Sequence, residues 1–210
     1  MASNESFTVH VDIFESRWAM HPDANVDLCA LPVAPLQEFA QKAAGKSIYY
    51  EALGDVMIPS PTELGELAAV EDVIMAGYPL GLWDDVNNLP LLRRGITASH
   101  PAVNFLGRSE GAVDLACFPG SSGSPILIMG GSHYGDAAAK ERKAIFLGVL
   151  WGGPIDLVEG HAKMLEGSSS TEKQGALVVS KVFVHLGYYV KSSQLSVFRD
   201  FAERWPVTSW

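Results

Sequence analysis

The sequence predicts an all-β domain built as an antiparallel sandwich or barrel. Short segments rich in β-branched and aromatic residues recur along the chain, and glycine, serine and charged residues separate them. Strands do not alternate with helices in the rhythm of a parallel sheet. With 210 residues and a hydrophobic content of 48%, the chain is long enough for one sizeable domain or two closely packed halves.

Charge and cysteine content narrow the class of protein further. The net charge of −9 and the pI near 5.0 argue against binding to nucleic acid or to anionic membranes. No window approaches the roughly 18 apolar residues of a membrane span, and the first ten residues do not resemble a signal peptide. Cys29 and Cys117 lie in apolar runs, which predicts two buried thiols in a reducing compartment. We therefore expect a soluble, cytoplasmic protein, although a segment upstream could carry a signal.

The N-terminal third predicts two strands and a helix. FTVHVDI, residues 7–13, alternates apolar and polar side chains and predicts a half-buried strand. DLCALPV, residues 27–33, predicts a second short strand that its prolines end. PLQEFAQKAAGK follows with helical composition and with Gly45 suited to a C-cap.

The remaining chain predicts five further strand segments and one helix. After a weak capping pattern at residues 60–70, EDVIMAGYP predicts a buried strand that ends in a turn. Residues 130–143 and 159–173 are expected to form exposed hairpin loops. The other predicted strands are LLRRGITAS (91–99), PILIMG (125–130), AIFLGVLWGG (144–153) and QGALVVSKVFVHLGYYV (174–190).

The C-terminal segment SSQLSVFRDFAERW predicts an amphipathic helix. Ser192 or Ser193 would cap it. One apolar stripe would contain Leu195, Phe198, Ala202 and Trp205.

The segment PGSSGSPI, residues 119–126, is the strongest candidate for a chemical site. Glycine and serine are also typical of any turn. Glycines beside a serine let its hydroxyl project, and they let successive N–H groups converge on an oxyanion. The G-x-S-x-G elbow of an α/β-hydrolase fails at Ser124, and no strand-elbow-helix context follows.

Four segments in sequence order resemble the chymotrypsin-like serine proteases, in particular the bacterial trypsin-like peptidases. NVDLCALPV resembles the aspartate segment, and VIMAGYPLGLWDDVNNLPLLRRGITAS resembles the strand pair that opens the second barrel. CFPGSSGSPILI resembles the nucleophile loop, and FLGVLWGG resembles the strand that pairs with substrate. The resemblance covers nearly the whole chain and implies a chymotrypsin-like double antiparallel β-barrel.

The resemblance also implies roles for individual residues. Ser122 falls at the nucleophile and Asp27 at the residue that orients the histidine, while the N–H groups of Gly120 and Ser122 would form the oxyanion hole. Ala116, six positions before Ser122, would lie at the floor of the primary specificity pocket. An acid is absent there, which argues against a strict Lys or Arg preference, although the nearby Asp114 leaves the question open.

Substrate and partners follow from the same resemblance. Leu150, Trp151 and Gly152 would pair with an extended peptide. The expected partner is therefore a polypeptide substrate. We expect no nucleic-acid or membrane partner, no cofactor and no metal, since the histidines lack the spacing of a metal site.

The catalytic histidine of the family has no match in the sequence. Only His10 and His21 precede Asp27, and each is expected to be an ordinary surface or loop histidine. TASH, residues 97–100, resembles the family's histidine signature, but it follows the aspartate and ends a predicted strand. A serine hydroxyl without an imidazole is a poor nucleophile at neutral pH.

We therefore expect a trypsin-like peptidase that lacks the opening strands of its first barrel. Residues 1–70 would be the remnant of that barrel with the connection between barrels, 71–191 the second barrel and 192–210 the C-terminal helix. The chain would be a fragment begun at an internal methionine, inactive or nearly so, with an exposed edge that favours association. The alternatives are a non-catalytic relative that binds a peptide or protein partner, and an unrelated β domain whose serine loop binds an anion.

Overall fold

The computed structural model describes residues 18–129, 143–161 and 177–204. The predicted strand at residues 7–13, with His10, lies outside the described residues, as does Trp205. Most of the two predicted hairpin loops also lies outside them. Within the described ranges, no helix is long and apolar enough to cross a membrane.

A hairpin and two helices precede the main sheet. Strands β1 (Ala19–Met20) and β2 (Cys29–Ala30) pair antiparallel. Helix α1 (Ala34–Ala44) ends at Gly45, whose φ of 63° confirms the predicted C-cap. Helix α2 (Pro61–Gly65) begins at a capping box in which Ser60 and Glu63 exchange hydrogen bonds between side chain and backbone, as the pattern predicted.

The fold is mostly β, and six antiparallel strands close into one barrel, which confirms the prediction of an antiparallel β architecture. The barrel order is β10-β5-β4-β3-β6-β7, and β8 and β9 form a separate two-stranded ribbon. The strands are β3 (Asp72–Gly77), β4 (Leu91–Thr97), β5 (Glu110–Asp114), β6 (Pro125–Ile128), β7 (Ile145–Gly152), β8 (Ile155–His161), β9 (Leu177–Phe183) and β10 (Leu186–Lys191).

Two apolar clusters stabilise this arrangement. The larger one fills the barrel and includes Met75, Ile126 and Tyr189, each at most 1% exposed. The smaller one joins Leu28 of the first hairpin to Val190 and Phe198, with Trp151 packed against it. Because successive side chains on a strand point to opposite faces, Tyr189 points inward and Val190 outward. The hairpin therefore packs on the outer surface of the barrel, over β7 and β10.

The C-terminal segment differs from its prediction. It begins as a 3₁₀ helix (Ser192–Phe198) and continues as α3 (Arg199–Arg204). The 3₁₀ helix begins after Lys191 with no side-chain cap, so the prediction of a cap at Ser192 or Ser193 is wrong. Ser192 is instead buried, because the helix starts directly from the end of β10 on the barrel wall.

Two side chains differ in burial from their predictions. Cys117 is buried but Cys29 is exposed, because β2 belongs to a two-stranded hairpin that covers only one of its faces. His21 lies in the loop between β1 and β2, one of the two predicted settings, but it is buried there: its ring packs edge-on against Phe198, with the ring centroids 6.0 Å apart. Its Nδ1 atom accepts a hydrogen bond from the Asp23 N–H group at 3.1 Å.

Candidate functional site

The predicted nucleophile loop, residues 118–124, is held by its own turns and by β7. Ser121 N–H donates to the Phe118 carbonyl at 3.0 Å, and Ser124 N–H donates to the Ser121 carbonyl at 3.1 Å. Gly120 and Gly123 have φ values of 83° and 85°, a region that favours glycine. A Cβ atom on Gly120 would also lie only 3.0 Å from the carbonyl oxygen of Tyr78. The two glycines therefore allow the backbone to turn sharply on both sides of Ser121 and Ser122.

Ser122 is exposed at the tip of this loop. Its Oγ atom donates a hydrogen bond to the carbonyl oxygen of Trp151 at 3.1 Å. Within the three described ranges, neither the Gly120 N–H nor the Ser122 N–H donates a hydrogen bond to a protein group. The predicted oxyanion donors are thus available to an acceptor from outside the protein.

A β-bulge turns the carbonyl group of Trp151 toward Ser122, while the indole ring packs against the smaller apolar cluster. Tyr189 pairs with Leu150 and Tyr188 pairs with Gly152, so the register shifts and Trp151 lies between the two pairs. Leu150 is bonded to the serine loop through both backbone groups: its N–H donates to Ser124 O at 2.9 Å, and its carbonyl accepts from Gly123 N–H at 2.8 Å. Bulges of this kind commonly re-aim one residue beside a site.

A cavity of about 180 Å³ opens beside Ser122. None of the described residues that line it carries a charged side chain. The predicted substrate-binding residues Leu150 and Gly152 lie in this wall, whereas Trp151 and Ala116 are not among the lining residues. The lining residues are Cys117, Phe118, Pro119, Ser122, Leu150, Gly152, Gly153, Pro154, Ile155 and Leu186.

Arg93 lies behind the serine loop and was not predicted as a site residue. Its Nη1 atom donates to the carbonyl oxygen of Ala116 at 2.7 Å and to Ser121 Oγ at 2.8 Å. Ser121 is 1% exposed, so this contact holds the residue beside the nucleophile position in a fixed place. Burial lowers the pKa of the Arg93 guanidinium, and the neighbouring Cys117 opposes that shift.

A weak signal for Arg93 was present in the sequence. In β4 the polar residues Arg93 and Thr97 point toward the inside of the barrel, whereas the apolar residues Leu92 and Ile96 are exposed. This is the reverse of the usual pattern, in which the apolar side chains face inward. Arg93, Gly95 and Thr97 are alternate residues of this strand and therefore lie on the same, inner face. Cys117 lies close to it, and burial raises the pKa of that thiol to about 11.

The structure does not bring Asp27 into contact with Ser122. Asp27 is exposed, and no hydrogen bond or ion pair of its side chain occurs within the described part of the chain. Its neighbour Leu28 is buried in the cluster that also contacts Trp151. The aspartate segment therefore packs on the strand that carries the predicted peptide edge, while the role of Asp27 stays a prediction.

His21, His100 and His185 form no hydrogen bond with Ser122. His100, which ends the TASH segment, accepts a hydrogen bond from Ala102 N–H at 3.1 Å. It follows the end of β4 at Thr97, whereas the serine loop lies at the opposite end of β4, near Leu91 and Gly77. The His185 ring packs edge-on against Phe118, a residue of the cavity wall.

Comparisons with known proteins complete the description of the site. Among the described residues, no group of three or more His, Cys, Asp and Glu side chains is arranged to hold a metal ion. No protein-family model matches the chain, and no match is found among curated proteins or among solved structures.

Proposed function

We propose that the chain is a chymotrypsin-like serine endopeptidase domain of the bacterial trypsin-like type, with Ser122 as its nucleophile. In this proposal the closed barrel is the second of the two barrels of that fold. The observation that carries the proposal is the placement of Ser122. Its exposed hydroxyl lies at an apolar cavity, beside two backbone N–H groups without a protein acceptor in the described ranges.

The reaction would proceed by transfer of the acyl group of the substrate to Ser122. Ser122 Oγ would bond to the carbonyl carbon of the scissile peptide, and its proton would pass to an imidazole base. The N–H groups of Gly120 and Ser122 would donate to the resulting oxyanion. The imidazolium would then protonate the leaving amine, and water would release the acyl group by the reverse path. Asp27 would orient that imidazole.

Among the described residues, no base accepts the hydrogen bond of the Ser122 hydroxyl. Ser122 Oγ donates to the carbonyl oxygen of Trp151, an acceptor that does not take up a proton at neutral pH. In subtilisin, a serine protease of unrelated fold, loss of the catalytic histidine alone lowers turnover about a million-fold. We therefore expect the 210-residue chain to be inactive or nearly so by itself.

The cavity suits an apolar side chain next to the scissile bond. Apolar groups of Phe118, Leu150 and Leu186 line it, and Cys117 is protonated at neutral pH because its pKa is raised to about 11. A charged substrate side chain would lose its hydration there without gaining a partner.

A second function rests on the same geometry without catalysis. Because Ser122 Oγ donates to a backbone carbonyl and not to a base, the cleft could bind a peptide without cutting it. Peptide binding would then use the same cavity and the same strand edge.

Labelling with a fluorophosphonate probe tests the proposal. We expect little or no labelling of the purified chain, and faster labelling when imidazole is added to supply the base. Ser122→Ala should abolish the labelling. Ser196→Ala removes another exposed hydroxyl, one that donates to the Ser193 carbonyl at 2.9 Å, and should leave the labelling unchanged.

Two outcomes would contradict the catalytic proposal. Labelling that persists in the folded Ser122→Ala variant would place the nucleophile elsewhere. A folded protein that resists labelling even with imidazole, yet binds a peptide aldehyde, would favour the non-catalytic function.

A further inference from the structure

The peptide between Pro119 and Gly120 carries one of the two predicted oxyanion donors, and it lies at the centre of a β-turn. The Ser121 N–H group donates to the Phe118 carbonyl at 3.0 Å, with proline and glycine at the two central positions. Gly120 has a φ of 83°, as the third residue of a type II turn does. Residues 118–121 therefore form a type II turn, whose central peptide contains the Pro119 carbonyl and the Gly120 N–H group.

The sequence of this turn also permits the opposite orientation of the same peptide. A type I turn joins the same end residues by the same hydrogen bond, but its third residue has a φ of about −90° and its central peptide faces the other way. Proline is favoured at the second position of both types, and glycine adopts both signs of φ. A contact from outside the turn must therefore decide where the Gly120 N–H group points.

That contact comes from residues 78–82, the Leu80 turn. Leu80 N–H donates to the Pro119 carbonyl at 2.7 Å. Among the described residues, this is the only backbone hydrogen bond between the Leu80 turn and residues 118–123. The carbonyl and the N–H group of a trans peptide point in opposite directions. The bond therefore keeps the Gly120 N–H group pointing away from the Leu80 turn, without an acceptor in the described ranges.

Leu80 adopts an unfavourable backbone conformation where it makes this bond. Its φ of 55° and ψ of 22° lie in the left-handed region, which is strained for a residue with a side chain. The side chain is 61% exposed, so burial of the leucine does not explain the strain. Gly81 N–H closes the turn by donating to the Tyr78 carbonyl at 3.1 Å. Strain of this kind persists where surrounding contacts impose the conformation, and it concentrates at functional sites.

The Leu80 turn also lies against Gly120 itself. A Cβ atom on Gly120 would lie 3.2 Å from the Leu80 nitrogen, so the two turns fit together only without a side chain there. Arg93 holds the serine loop from another side, but it bonds to Ser121 Oγ and not to the peptide between Pro119 and Gly120. The Leu80 turn is thus the contact that acts on the peptide with the oxyanion donor.

We propose that Leu80 is a positioning residue for the oxyanion hole: its backbone N–H group selects the type II turn and keeps the Gly120 N–H group directed at the site. When the bond to Pro119 is lost, the turn converts to type I and the Gly120 N–H group turns away. Only the Ser122 N–H group then remains to stabilise an oxyanion. This inference rests on the proposed function, because that function assigns the oxyanion role to Gly120.

Substitutions at Leu80 change the backbone strain at an exposed position. Leu80→Ile keeps the number of carbon atoms, but a β-branched residue strongly disfavours the left-handed region. Leu80→Gly removes the strain and keeps the N–H donor. Leu106 is the matched control, because its φ is 53°, its side chain is 72% exposed, and it forms no backbone hydrogen bond with the serine loop. Leu106→Ile and Leu106→Gly therefore alter the same strain in a different turn.

Amide NMR of the full chain reports the orientation of the peptide directly. The scalar coupling across the hydrogen bond from Leu80 N–H to the Pro119 carbonyl, and the amide shift of Gly120, do not depend on catalysis. We expect both signals to persist in Leu80→Gly and in the two Leu106 variants. In Leu80→Ile we expect the coupling to disappear and the Gly120 amide shift to move. Signals that stay unchanged in Leu80→Ile would overturn the inference.

The affinity for a tripeptide boronic acid that ends in boroleucine measures the consequence for the site. Ser122 Oγ adds to the boron atom, the hydroxyl proton passes to the buffer, and the anionic tetrahedral boronate presents an oxygen to the oxyanion donors. Loss of one charge-assisted hydrogen bond should weaken binding about tenfold or more in Leu80→Ile. Leu80→Gly should bind at least as tightly as the parent chain, and both Leu106 variants should bind as it does. Calorimetric titration measures these affinities.

The possible results separate this inference from the proposed function. Equal boronate affinities of Leu80→Ile and the parent chain, lost in Ser122→Ala, would overturn the inference and leave the serine site intact. An equal loss of affinity in Leu106→Ile would also overturn it, because the effect would then be one of general stability. A folded parent chain that does not bind the boronate would count against the proposed function. In that case a Gly120 shift that moves in Leu80→Ile still supports the positioning by Leu80, and one that stays overturns it.

Discussion

Arg93 shows how one side chain can connect the two segments that form a site. Its Nη1 atom bonds to Ala116, which precedes the cavity wall, and to Ser121, which precedes the candidate nucleophile. Arg94, the next residue, points outward and forms a surface ion pair with Asp72 at 2.9 Å. The adjacent arginines therefore offer a matched comparison between an inner and an outer guanidinium group.

Replacing the inner guanidinium should destabilise the fold. Arg93→Ala would leave the Ala116 carbonyl and the Ser121 hydroxyl without this donor, a loss that we expect to reduce the free energy of unfolding by about 1–3 kcal/mol. Arg94→Ala removes an exposed ion pair and should cost less than about 1 kcal/mol. Urea unfolding of both variants measures the difference, and equal midpoints would show that Arg93 does not hold the loop.

The two thiols should differ sharply in reactivity. Cys29 is exposed and should react with a disulfide reagent in the native protein, whereas Cys117 should react only after unfolding. Burial raises the pKa of Cys117 from its usual 9.0 to about 11, so its thiolate is scarce at pH 8. Counting the released thiolate before and after denaturant, with Cys29→Ser as control, checks this expectation.

The same pKa shift fixes the sign of a pH effect on stability. The folded state holds the Cys117 proton more tightly than the unfolded chain, so this contribution is fully present below about pH 9. It decreases as the pH rises toward 11. Cys117→Ser should therefore flatten the loss of stability over that range, and an unchanged slope would contradict the assignment.

At the scale of elements, the strands that alternate or contain an apolar run were predictable from the sequence. β3 buries every second residue, and β6 and β7 carry apolar runs that only the glycines of β7 interrupt. Their pattern is a direct result of one face packing into the barrel. Helix α1 was predictable because Gly45 supplies the left-handed residue that ends it.

Other elements could not be predicted because their stabilising contacts are not local. β5 has the sequence EGAVD and pairs with β4 and β10. Its first residue, Glu110, is charged but buried, so the sequence lacks the usual pattern of a strand. Residues 159–161 of β8 were expected in a loop, because the segment 159–173 is rich in glycine, serine and charged residues. The predicted strand over 174–190 is broken at His185, whose φ of 58° lies in the left-handed region and forms part of the turn between β9 and β10.

The residues of the candidate site also divide into those that the sequence predicted and those that only the structure shows. The resemblance predicted that Ser122, Leu150 and Gly152 lie together, and all three line the cavity. Arg93 and the wall residues Pro154, Ile155 and Leu186 required the structure. Their proximity depends on the closure of the barrel between β7 and β10, which no local pattern encodes.

For the whole molecule, the two apolar clusters imply two levels of stability. Ile126 is fully buried in the barrel, and Ile126→Ala should reduce the free energy of unfolding by about 2–5 kcal/mol. Leu28→Ala affects the smaller outer cluster and should loosen the first hairpin before it affects the barrel. Amide hydrogen exchange measures the protection of the barrel strands and of the first hairpin separately in each variant. Equal loss of protection in both regions for Leu28→Ala would show a single cooperative unit.

The closure of the barrel by β10 has a consequence for synthesis of the chain. β10 is the last barrel strand in the sequence, and it bridges β5 and β7. Until the ribosome has released residues 186–191, the other five barrel strands form an open sheet with two unprotected edges. Domains fold as units during translation, so the nascent chain must wait for its final sheet strand before the serine loop acquires its lasting shape.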